Sequence, residues 1–247
     1  FECDIWSVPE GSVIFPYEPI MTVRGPAVQA QLIETIALLI INHESLIATK
    51  SNRIKRAAKG RAVMEFGARR AQGIDASVYG AKASYIAGID GTSNVLTGKL
   101  FNIPVLGTMA HSWVQMFDTE LEAFKAFAKS FPNNCVLLVD TYNTLQSGIP
   151  NAIKTFDEIL KPMGIRPKGI RLDSGDLAYL SKQARKMLDN AGYEDAQIVV
   201  SNSLDEYTIR DLLHQEAKID SFGIGERLIT SKTHPVFGGV YKLVAIE

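Results

Sequence analysis

The sequence predicts an α/β protein, an irregular (β/α) TIM-like barrel preceded by the remnant of a small β-rich domain. From residue 60 onward, short apolar runs alternate with helical segments about seven times, as in parallel strands joined by right-handed crossovers. Polar residues or glycines follow nearly every run. In a barrel all of these strand ends face one mouth, whereas in an open doubly wound sheet, the alternative, only those at the switch point share a site. Chemistry drawn from so many strands favours the barrel.

The predicted elements divide into two domains. Residues 1–25 are rich in Pro, Val and Ile and lack a helical period, which predicts short strands and a fragment of an N-terminal β-rich domain. Residues 26–247 form the predicted barrel domain, truncated at its C-terminal end, and begin with a long apolar helix over residues 29–48. The predicted barrel strands are residues 63–66, 85–89, 103–106, 136–139, 169–172, 198–200 and 219–222. The predicted barrel helices are residues 118–130, 152–160, 177–190 and 205–215.

The composition excludes several classes of protein. With 46% hydrophobic and 21% charged residues, a chain of 247 residues can bury a substantial core. A formal net charge of −1 gives no overall attraction to nucleic acid or to an anionic membrane, and the longest apolar run, residues 36–41, is too short to span a bilayer. The two cysteines form no disulfide framework, so we expect a reducing, cytoplasmic setting. Since Phe1 and Glu247 interrupt sequence patterns, we expect a piece of a longer protein.

Side chains that could carry chemistry follow the predicted strands at their carboxyl ends, where barrel enzymes place their reactive groups. These are Glu65, Asp90, His111, Asp140, Asp173 and Asn202, with Gly223 and Gly225 after the last strand. The segment GTSN, which contains Ser93, adds hydroxyl groups at another strand end. A plain turn with a helix cap is the alternative explanation of that segment.

The sharpest motif is the segment RLDSGDL, which begins at Arg171. Two carboxylates, Asp173 and Asp176, follow at spacing i, i+3 around a Ser-Gly turn. The guanidinium offers a planar fork to a carboxylate or phosphate. The turn at Ser174 and Gly175 lets backbone N–H groups approach a ligand oxygen. Taken alone, a helix N-cap with a surface ion pair explains the same residues equally well.

Two further stretches suggest sites for an anion and for a flat ring. FGIGERL places Gly223 and Gly225 after the last strand, where N–H groups and a helix dipole form an anion cradle, although an ordinary tight turn fits the same letters. EFGARR sets Phe66 beside Arg69 and Arg70 at the end of the first barrel strand. This suits stacking on an anionic ring and pairing with its charge, and an exposed basic turn over a core Phe is the alternative.

His111 is the histidine with the strongest case for a chemical role. It follows the predicted strand 103–106 and a small-residue turn, where a helix is expected to begin. An imidazole there could act as a base or a nucleophile and would need a carboxylate to fix its tautomer, which Asp140 offers. A structural histidine is the alternative. No HExxH, CxxC or histidine pair at metal spacing occurs, so we predict no metal ligands.

Together these stretches resemble the nicotinate phosphoribosyltransferase family. The resemblance is carried, in the family's order, by EFGARRAQGID, GTSNVLTG, GTMAHSW, DTYNTLQSGIPNAI, RLDSGDL and FGIGERL, roughly over residues 60–230. The segment VIFPYEPIMTVRGP is similar to the family's link from its β-rich domain into the barrel.

The resemblance implies an enzyme of NAD salvage. It would transfer phosphoribosyl from phosphoribosyl pyrophosphate to nicotinate, forming nicotinate mononucleotide and pyrophosphate. ATP would be a co-substrate that acts through a phosphohistidine, and Mg²⁺ a cofactor. The partners implied are these small molecules and a second copy of the chain in a homodimer with a shared active site.

The resemblance also implies roles for individual residues. His111 matches the phosphorylated histidine, Asp140 its orienting carboxylate, and Asp173 the carboxylate that holds ribose hydroxyls. The implied substrate contacts are Phe66 for stacking on the ring, Arg69 for phosphate, Thr108 and Arg171 for nicotinate, and Gly223 and Gly225 for the 5′-phosphate. Ser174, Gly175 and Asn202 complete the predicted binding set. Many relatives have Thr where this chain has Glu226, so backbone N–H groups and Arg227 would have to replace that hydroxyl.

Two other functions stay open at this point. Nicotinamide phosphoribosyltransferase shares the barrel and the histidine, but an acidic residue should then accept a hydrogen bond from the amide, and neutral Ser93 stands at that position. A non-catalytic phosphate-binding barrel fragment is the other. The joint presence of four candidate site residues argues against this second alternative; they are His111, Asp140, Arg171 and Asp173.

Overall fold

The N-terminal part of the protein is a strand pair followed by two helices. The computed structural model describes residues 1–246. Strands β1 (Asp4–Ser7) and β2 (Met21–Arg24) pair antiparallel, and they agree with the short strands predicted within residues 1–25. Helices α1 (Ala27–Leu32) and α2 (Glu34–Ala57) follow Pro26. The boundary between the two predicted domains at residues 25 and 26 stays a prediction.

Helix α2 continues well past its predicted end at residue 48, through the basic residues 50–56. Ile47, Ser51 and Ile54 recur at helical spacing and are buried, so this half of the helix faces the core. Lys50 is buried on the same side, and its ammonium lies 2.6 Å from the Glu206 carboxylate. A buried lysine needs such a partner, and sequence spacing alone does not supply one.

Six parallel strands form the central sheet. They are β3 (Ala62–Glu65), β4 (Gly91–Thr92), β5 (Val136–Leu138), β6 (Gly169–Leu172), β7 (Gln197–Val200) and β8 (Ser221–Ile224). Their order is β4-β3-β8-β7-β6-β5, and every pair is parallel. Strands β5 to β8 are buried almost throughout, as expected for a sheet covered on both faces. The predicted parallel α/β architecture is confirmed.

Helices connect the strands and cover the sheet. They are α3 (Ile74–Ile86), α4 (Val95–Phe101), α5 (His111–Gln115), α6 (Glu120–Ser130), α7 (Ile149–Thr155), α8 (Leu177–Asn190), α9 (Glu206–His214) and α10 (Glu226–Ile229). Two π-helical turns, Thr144–Gly148 and Phe156–Leu160, flank α7. Helix α8 has the predicted bounds, because Leu177, Ala184 and Leu188 bury a stripe and the Asp176 side chain caps it by accepting from Tyr179 N–H.

Two predicted strands are wrong or reduced. The run 85–89 is not a strand, since residues 85–86 end helix α3. The prediction was wrong because periodicity alone does not distinguish a short buried strand from the end of a helix. The run 103–106 makes only a single parallel bridge, between Val105 and Thr92. Asp90 therefore precedes β4 instead of following a strand, and its Oδ2 accepts from the Val63 N–H at 2.7 Å. This places Asp90 at the amino end of the sheet, away from the other polar strand ends.

The helical stretch Ala27–Ala57 is long and apolar enough to cross a membrane by length and composition, since an 18-residue window within it has a mean hydropathy of 1.4. This differs from the expectation drawn from residues 36–41, since a window average tolerates polar residues between apolar ones. One such helix is weak evidence for a span, and its second half packs into the core through Ile47 and Ile54. Its first half exposes an apolar stripe made of Val28, Leu32, Ile36 and Leu39.

Gly148 allows the closest backbone approach in the sheet region and generates a stability prediction. A Cβ at this position would overlap the Val139 carbonyl oxygen at the end of β5. Gly148→Ala is therefore expected to lower the free energy of unfolding by about 3 kcal/mol, the upper range for overpacking. Gly107→Ala is the control, because a Cβ there meets no atom within 4 Å. Equal urea unfolding curves for the two variants would contradict the prediction.

Candidate active site

The carboxyl ends of three neighbouring strands bring the predicted reactive groups together. Asp140 follows β5, Asp173 follows β6 directly, and Ser201 follows β7 directly. Since β5, β6 and β7 are adjacent and parallel, these side chains lie at the same edge of the sheet. His111, the first residue of α5, reaches the same place from the preceding loop.

The imidazole of His111 lies between two carboxylates and a hydroxyl. Its Nδ1 is 3.1 Å from Thr141 Oγ1, and its Nε2 is 3.4 Å from Asp173 Oδ2 and 4.0 Å from Asp140 Oδ1. The carboxylate closest to the ring is thus Asp173, whereas the sequence singled out Asp140. With 38% of its side chain exposed, His111 is also open to a ligand from solvent.

Asp140 anchors the turn that carries Asp173. Its side chain is 1% exposed, and its Oδ2 accepts from the Asp173 N–H at 2.6 Å and from Ser174 Oγ at 2.8 Å. Its Oδ1 is buried and has no hydrogen-bond partner among the described residues. An unpaired buried carboxylate oxygen is costly, so this atom is suited to accept a proton or a ligand donor.

Arg171 presents a largely buried cation, with 11% of its side chain exposed, beside this pair of aspartates. Its Nη2 donates to the Met109 carbonyl at 2.7 Å and its Nη1 to Ser201 Oγ at 3.3 Å, while its buried Nε has no partner among the described residues. Burial lowers the pKa of Arg171, and the opposing charges of Asp173 and Asp140 offset part of this effect. A guanidinium stays protonated in such a setting, so it can bind an anion.

Phe66 and the two glycines form a second cluster. A Cβ at Gly223 would lie 2.5 Å from the Phe66 ring, and one at Gly225 would lie 3.2 Å from the Phe66 carbonyl oxygen. The absence of side chains at both positions therefore lets the Phe66 segment pack on β8 and the turn after it. Gly223 lies within β8 and Gly225 precedes the short helix α10, so only Gly225 follows the strand as predicted.

Glu65 fixes the segment that carries Phe66 and Arg69. Its buried carboxylate accepts from the Gly67 N–H and, at 2.6 Å, from the Thr92 hydroxyl. Its backbone carbonyl accepts from the Ser93 N–H at 2.9 Å. Burial raises the pKa of Glu65, although these hydrogen bonds oppose the rise. One residue thus ties together the ends of β3 and β4.

Arg227 forms an ion pair within the protein, so its charge is not available to an anion bound at the turn after Gly225. Its Nη1 lies 2.6 Å from Asp205 Oδ2, and Asp205 also caps α9 by accepting from the Thr208 N–H. Glu226 pairs with Lys232 at 2.7 Å. We therefore expect the backbone N–H groups after Gly225, and not a side chain, to donate hydrogen bonds to an anion in place of the missing Thr hydroxyl.

The remaining predicted site residues surround these clusters. Thr108 donates to the Met109 carbonyl at 3.2 Å, next to the Arg171 contact. Arg69 is exposed and has no ion pair among residues 1–246. Burial lowers the pKa of Arg171 most, and the positive charge of Arg69 lowers it further.

Two other predicted site residues lie in turns with positive φ. Gly175 has a φ of +77°, which suits glycine. Asn202 is exposed, has a φ of +90° and makes no side-chain hydrogen bond within the described chain. Roles for these residues stay predictions.

Four residues that build the site have no specific role assigned from the sequence. Ser201 and Thr141 directly touch predicted site residues, Glu65 was noted only as a strand end, and Asp205 was noted only as the start of a helix. Position within three residues of the carboxyl end of a strand was the available signal for Ser201 and Thr141. In the part of the chain that the structure describes, no group of three or more His, Cys, Asp or Glu side chains is arranged to hold a metal ion.

The fold is a parallel α/β sheet with polar side chains at the carboxyl ends of its strands, and comparison with known families assigns it to a family. The model of the nicotinate phosphoribosyltransferase (NAPRTase) family matches residues 61–247, and that of the quinolinate phosphoribosyl transferase N-terminal domain matches residues 1–45. The first match covers well over half of the chain. The chain belongs to the nicotinate phosphoribosyltransferase family.

Individual relatives support the same assignment. The chain is 54% identical to a nicotinate phosphoribosyltransferase of Bacillus subtilis, over 98% of this chain and 49% of that protein. Its structure resembles human nicotinic acid phosphoribosyltransferase, with a TM-score of 0.84 and 32% identity over 91% of this chain and 55% of that one. It also resembles a Pyrococcus furiosus nicotinate-nucleotide pyrophosphorylase, with a TM-score of 0.80 and 29% identity over 93% of this chain and 58% of that one. The chain spans about half the length of the curated relatives it matches.

The Asp205–Arg227 pair generates a pH-dependent stability prediction. Burial alone would raise the pKa of Asp205, but hydrogen bonds from Thr208 and Arg227 outweigh it, so that pKa lies below its ordinary value of 3.8. The stabilisation is therefore present above 3.8 and is lost as the pH falls through the folded-state pKa. Asp205→Asn should lower the free energy of unfolding by about 1–2 kcal/mol at pH 7, and by less at low pH.

Urea unfolding at pH 7 and in the acid range checks this prediction. Asp211→Asn is the control, because Asp211 lies on the same helix with its side chain 65% exposed. A loss for Asp205→Asn that stays constant as the pH falls, or one that the control equals, would contradict it.

Proposed function

We propose that the whole protein transfers phosphoribosyl from phosphoribosyl pyrophosphate to nicotinate, forming nicotinate mononucleotide and pyrophosphate in NAD salvage. The observation that carries this proposal is the buried Arg171 guanidinium, with an unpaired Nε, beside the His111–Asp173 pair. A planar cation matches the carboxylate of an aromatic acid. Family membership supports the same chemistry.

Arg171 and Phe66 would recognise the acceptor. The guanidinium binds the nicotinate carboxylate, and Thr108 adds a hydroxyl from the neighbouring loop. The half-buried Phe66 ring stacks on the pyridine. Neutral Ser93, exposed after β4, offers no acidic acceptor for an amide, which favours nicotinate over nicotinamide.

Asp173 and the glycine turn would hold the phosphoribosyl group. Glycosyl transfer from a pyrophosphate passes through a cationic sugar, so a carboxylate close to the ribose stabilises the charge that develops. Asp173 supplies it, and its carboxylate also accepts hydrogen bonds from ribose hydroxyls. The N–H groups after Gly225 hold the 5′-phosphate, while Arg69, which has no ion pair within residues 1–246, neutralises phosphate charge.

His111 would couple ATP to this transfer. The two carboxylates near Nε2 favour the tautomer with the proton on Nε2, so the Thr141 hydroxyl donates to Nδ1. In this tautomer the lone pair that can attack is on Nδ1. When Nδ1 bonds to the γ-phosphorus of ATP, the bond to ADP breaks and the Thr141 hydroxyl gives up its hydrogen bond to Nδ1. The Asp173 and Asp140 carboxylates near Nε2 stabilise the positive charge of the ring, which keeps its Nε2 proton. Phosphorylation adds negative charge next to Asp173 and can reposition ligands.

Mg²⁺ fits the oxygens at this site. The carboxylate of Asp173 and the unpartnered Oδ1 of Asp140 would hold it together with substrate phosphate oxygens, which is how proteins usually bind this ion. When bound, Mg²⁺ offsets the charge of the departing pyrophosphate.

Two finer architectural statements belong to this proposal. The first is that the sheet is an irregular barrel, which is supported by the pairing of the first barrel strand, β3, with both β4 and the last strand, β8. The second is that the whole protein is a homodimer with a shared active site. The apolar stripe that α1 and α2 expose is suited to bury against another protein surface. We also propose a cytoplasmic setting.

A direct assay tests the proposed function. The full-length protein is incubated with nicotinate, phosphoribosyl pyrophosphate and Mg²⁺, with and without ATP, and nicotinate mononucleotide is measured. We expect product that increases with ATP. Nicotinamide in a parallel reaction and in competition with nicotinate should give little product and weak inhibition. No product from nicotinate, or preference for nicotinamide, would contradict the proposal.

The role of His111 gives a more specific prediction. His111→Asn removes the nucleophile and should abolish ATP consumption linked to product, while some uncoupled transfer remains. ADP and nicotinate mononucleotide are measured in the same reaction. His214→Asn is the control, because His214 is exposed at the end of α9. A His111→Asn variant that still couples ATP stoichiometrically would show that this histidine does not carry the phosphoryl group.

A further inference from the structure

Ser201 lies between the two charged groups that the proposed reaction needs. It is 4% exposed and directly follows β7, where its N–H donates to the Leu172 carbonyl at 2.9 Å. This bond fixes its backbone to β6, the strand that carries Arg171. The next two residues, Asn202 and Ser203, both have positive φ, at 90° and 50°, so the chain turns away at once.

The Ser201 hydroxyl uses its donor and an acceptor on opposite charges. It donates to Asp173 Oδ1, and its oxygen accepts from Arg171 Nη1 at 3.3 Å. A hydroxyl has one donor and two lone pairs, so both bonds form together. The hydroxyl thus bridges the guanidinium and the carboxylate, whose nearest atoms are 4.0 Å apart.

A direct, hydrogen-bonded ion pair is the arrangement that the hydroxyl replaces. Arg171 and Asp173 lie two residues apart at the same strand end, and their nearest atoms are 4.0 Å apart, about 1 Å more than in a hydrogen-bonded pair. A guanidinium and a carboxylate form a strong, geometrically specific pair when they meet. In such a pair each group would satisfy the other and would be a poorer ligand for substrate.

We propose that Ser201 is a positioning residue that keeps Arg171 and Asp173 apart, so that Arg171 can bind the nicotinate carboxylate and Asp173 the ribose. This inference rests on the proposed function. Ser201 does not touch the substrate in this arrangement, and its effect passes through the two residues that do. The Met109 carbonyl holds the other end of the guanidinium, at Nη2, so the orientation of the fork depends on both contacts.

Four variants of the full-length enzyme test the proposal. Ser201→Ala and Ser201→Val lack the hydroxyl, whereas Ser201→Thr keeps it and has the same shape as Val. Ser181→Ala is the structural control, because the Ser181 hydroxyl is also buried and also both accepts, from the Lys218 N–H, and donates, to the Ala178 carbonyl, but it lies on α8. KM for nicotinate, kcat and the thermal midpoint are measured for each.

The expected result separates the variants by hydroxyl and not by size or stability. Ser201→Ala and Ser201→Val should raise KM for nicotinate about ten-fold and lower kcat about ten-fold, which is the scale of one hydrogen bond to a charged group. Ser201→Thr should stay within about three-fold of wild type, against this ten-fold scale. Ser181→Ala should lose thermal stability without a change in KM.

Other results overturn the inference. They are a Ser201→Ala enzyme with wild-type KM and kcat, equal losses in the Thr and Val variants, or a Ser181→Ala variant that shows the same kinetic change. A wild-type enzyme that makes no nicotinate mononucleotide would instead contradict the proposed function, so the two failures are distinguishable.

Discussion

The two hydrogen bonds that Asp140 Oδ2 accepts from the turn after β6 hold the candidate site together. The Asp173 N–H and the Ser174 hydroxyl supply them at 2.6 and 2.8 Å, and the acceptor is 1% exposed. A buried carboxylate must be paired, so the turn cannot move without leaving that charge unsatisfied. The ends of β5 and β6 are thereby fixed to each other, and Arg171, Asp173 and the approach of His111 all depend on that spacing.

The site balances opposite charges within a protein whose overall net charge is −1. Two aspartates, Asp140 and Asp173, lie beside Arg171. Arg69 adds a second positive charge, which, together with the larger effect of burial, lowers the pKa of Arg171. The proposed phosphate-bearing substrates would add much more negative charge, so unpaired cations and backbone N–H groups would matter more for binding them than additional carboxylates. The pairing of Arg227 with Asp205 removes one cation from that role and uses it to fix the loop after β8 to helix α9.

Much of this arrangement could be predicted from the sequence because the strongest signals are local. The strand at 169–172 and the helix at 177–190 have their predicted bounds, since a continuous apolar run and a capped 3.6-residue stripe are each self-sufficient. The convergence of Asp140 and Asp173 follows from parallel topology, and His111 joins them from the start of α5. The prediction of a strand at 85–89 was wrong because residues 85–86 end helix α3. Lys50, Glu65 and Ser201 could not be assigned, because their partners are distant in sequence and become visible only in three dimensions.

A crystal structure of the full-length protein with bound nicotinate mononucleotide tests the central claim most directly. We expect the pyridine carboxylate within about 3 Å of the Arg171 guanidinium, the distance of a charge-assisted hydrogen bond. We also expect the ribose hydroxyls at Asp173 and the phosphate at the turn after Gly225. A mononucleotide bound at the amino ends of the strands, or one whose carboxylate lies away from Arg171, would contradict the account.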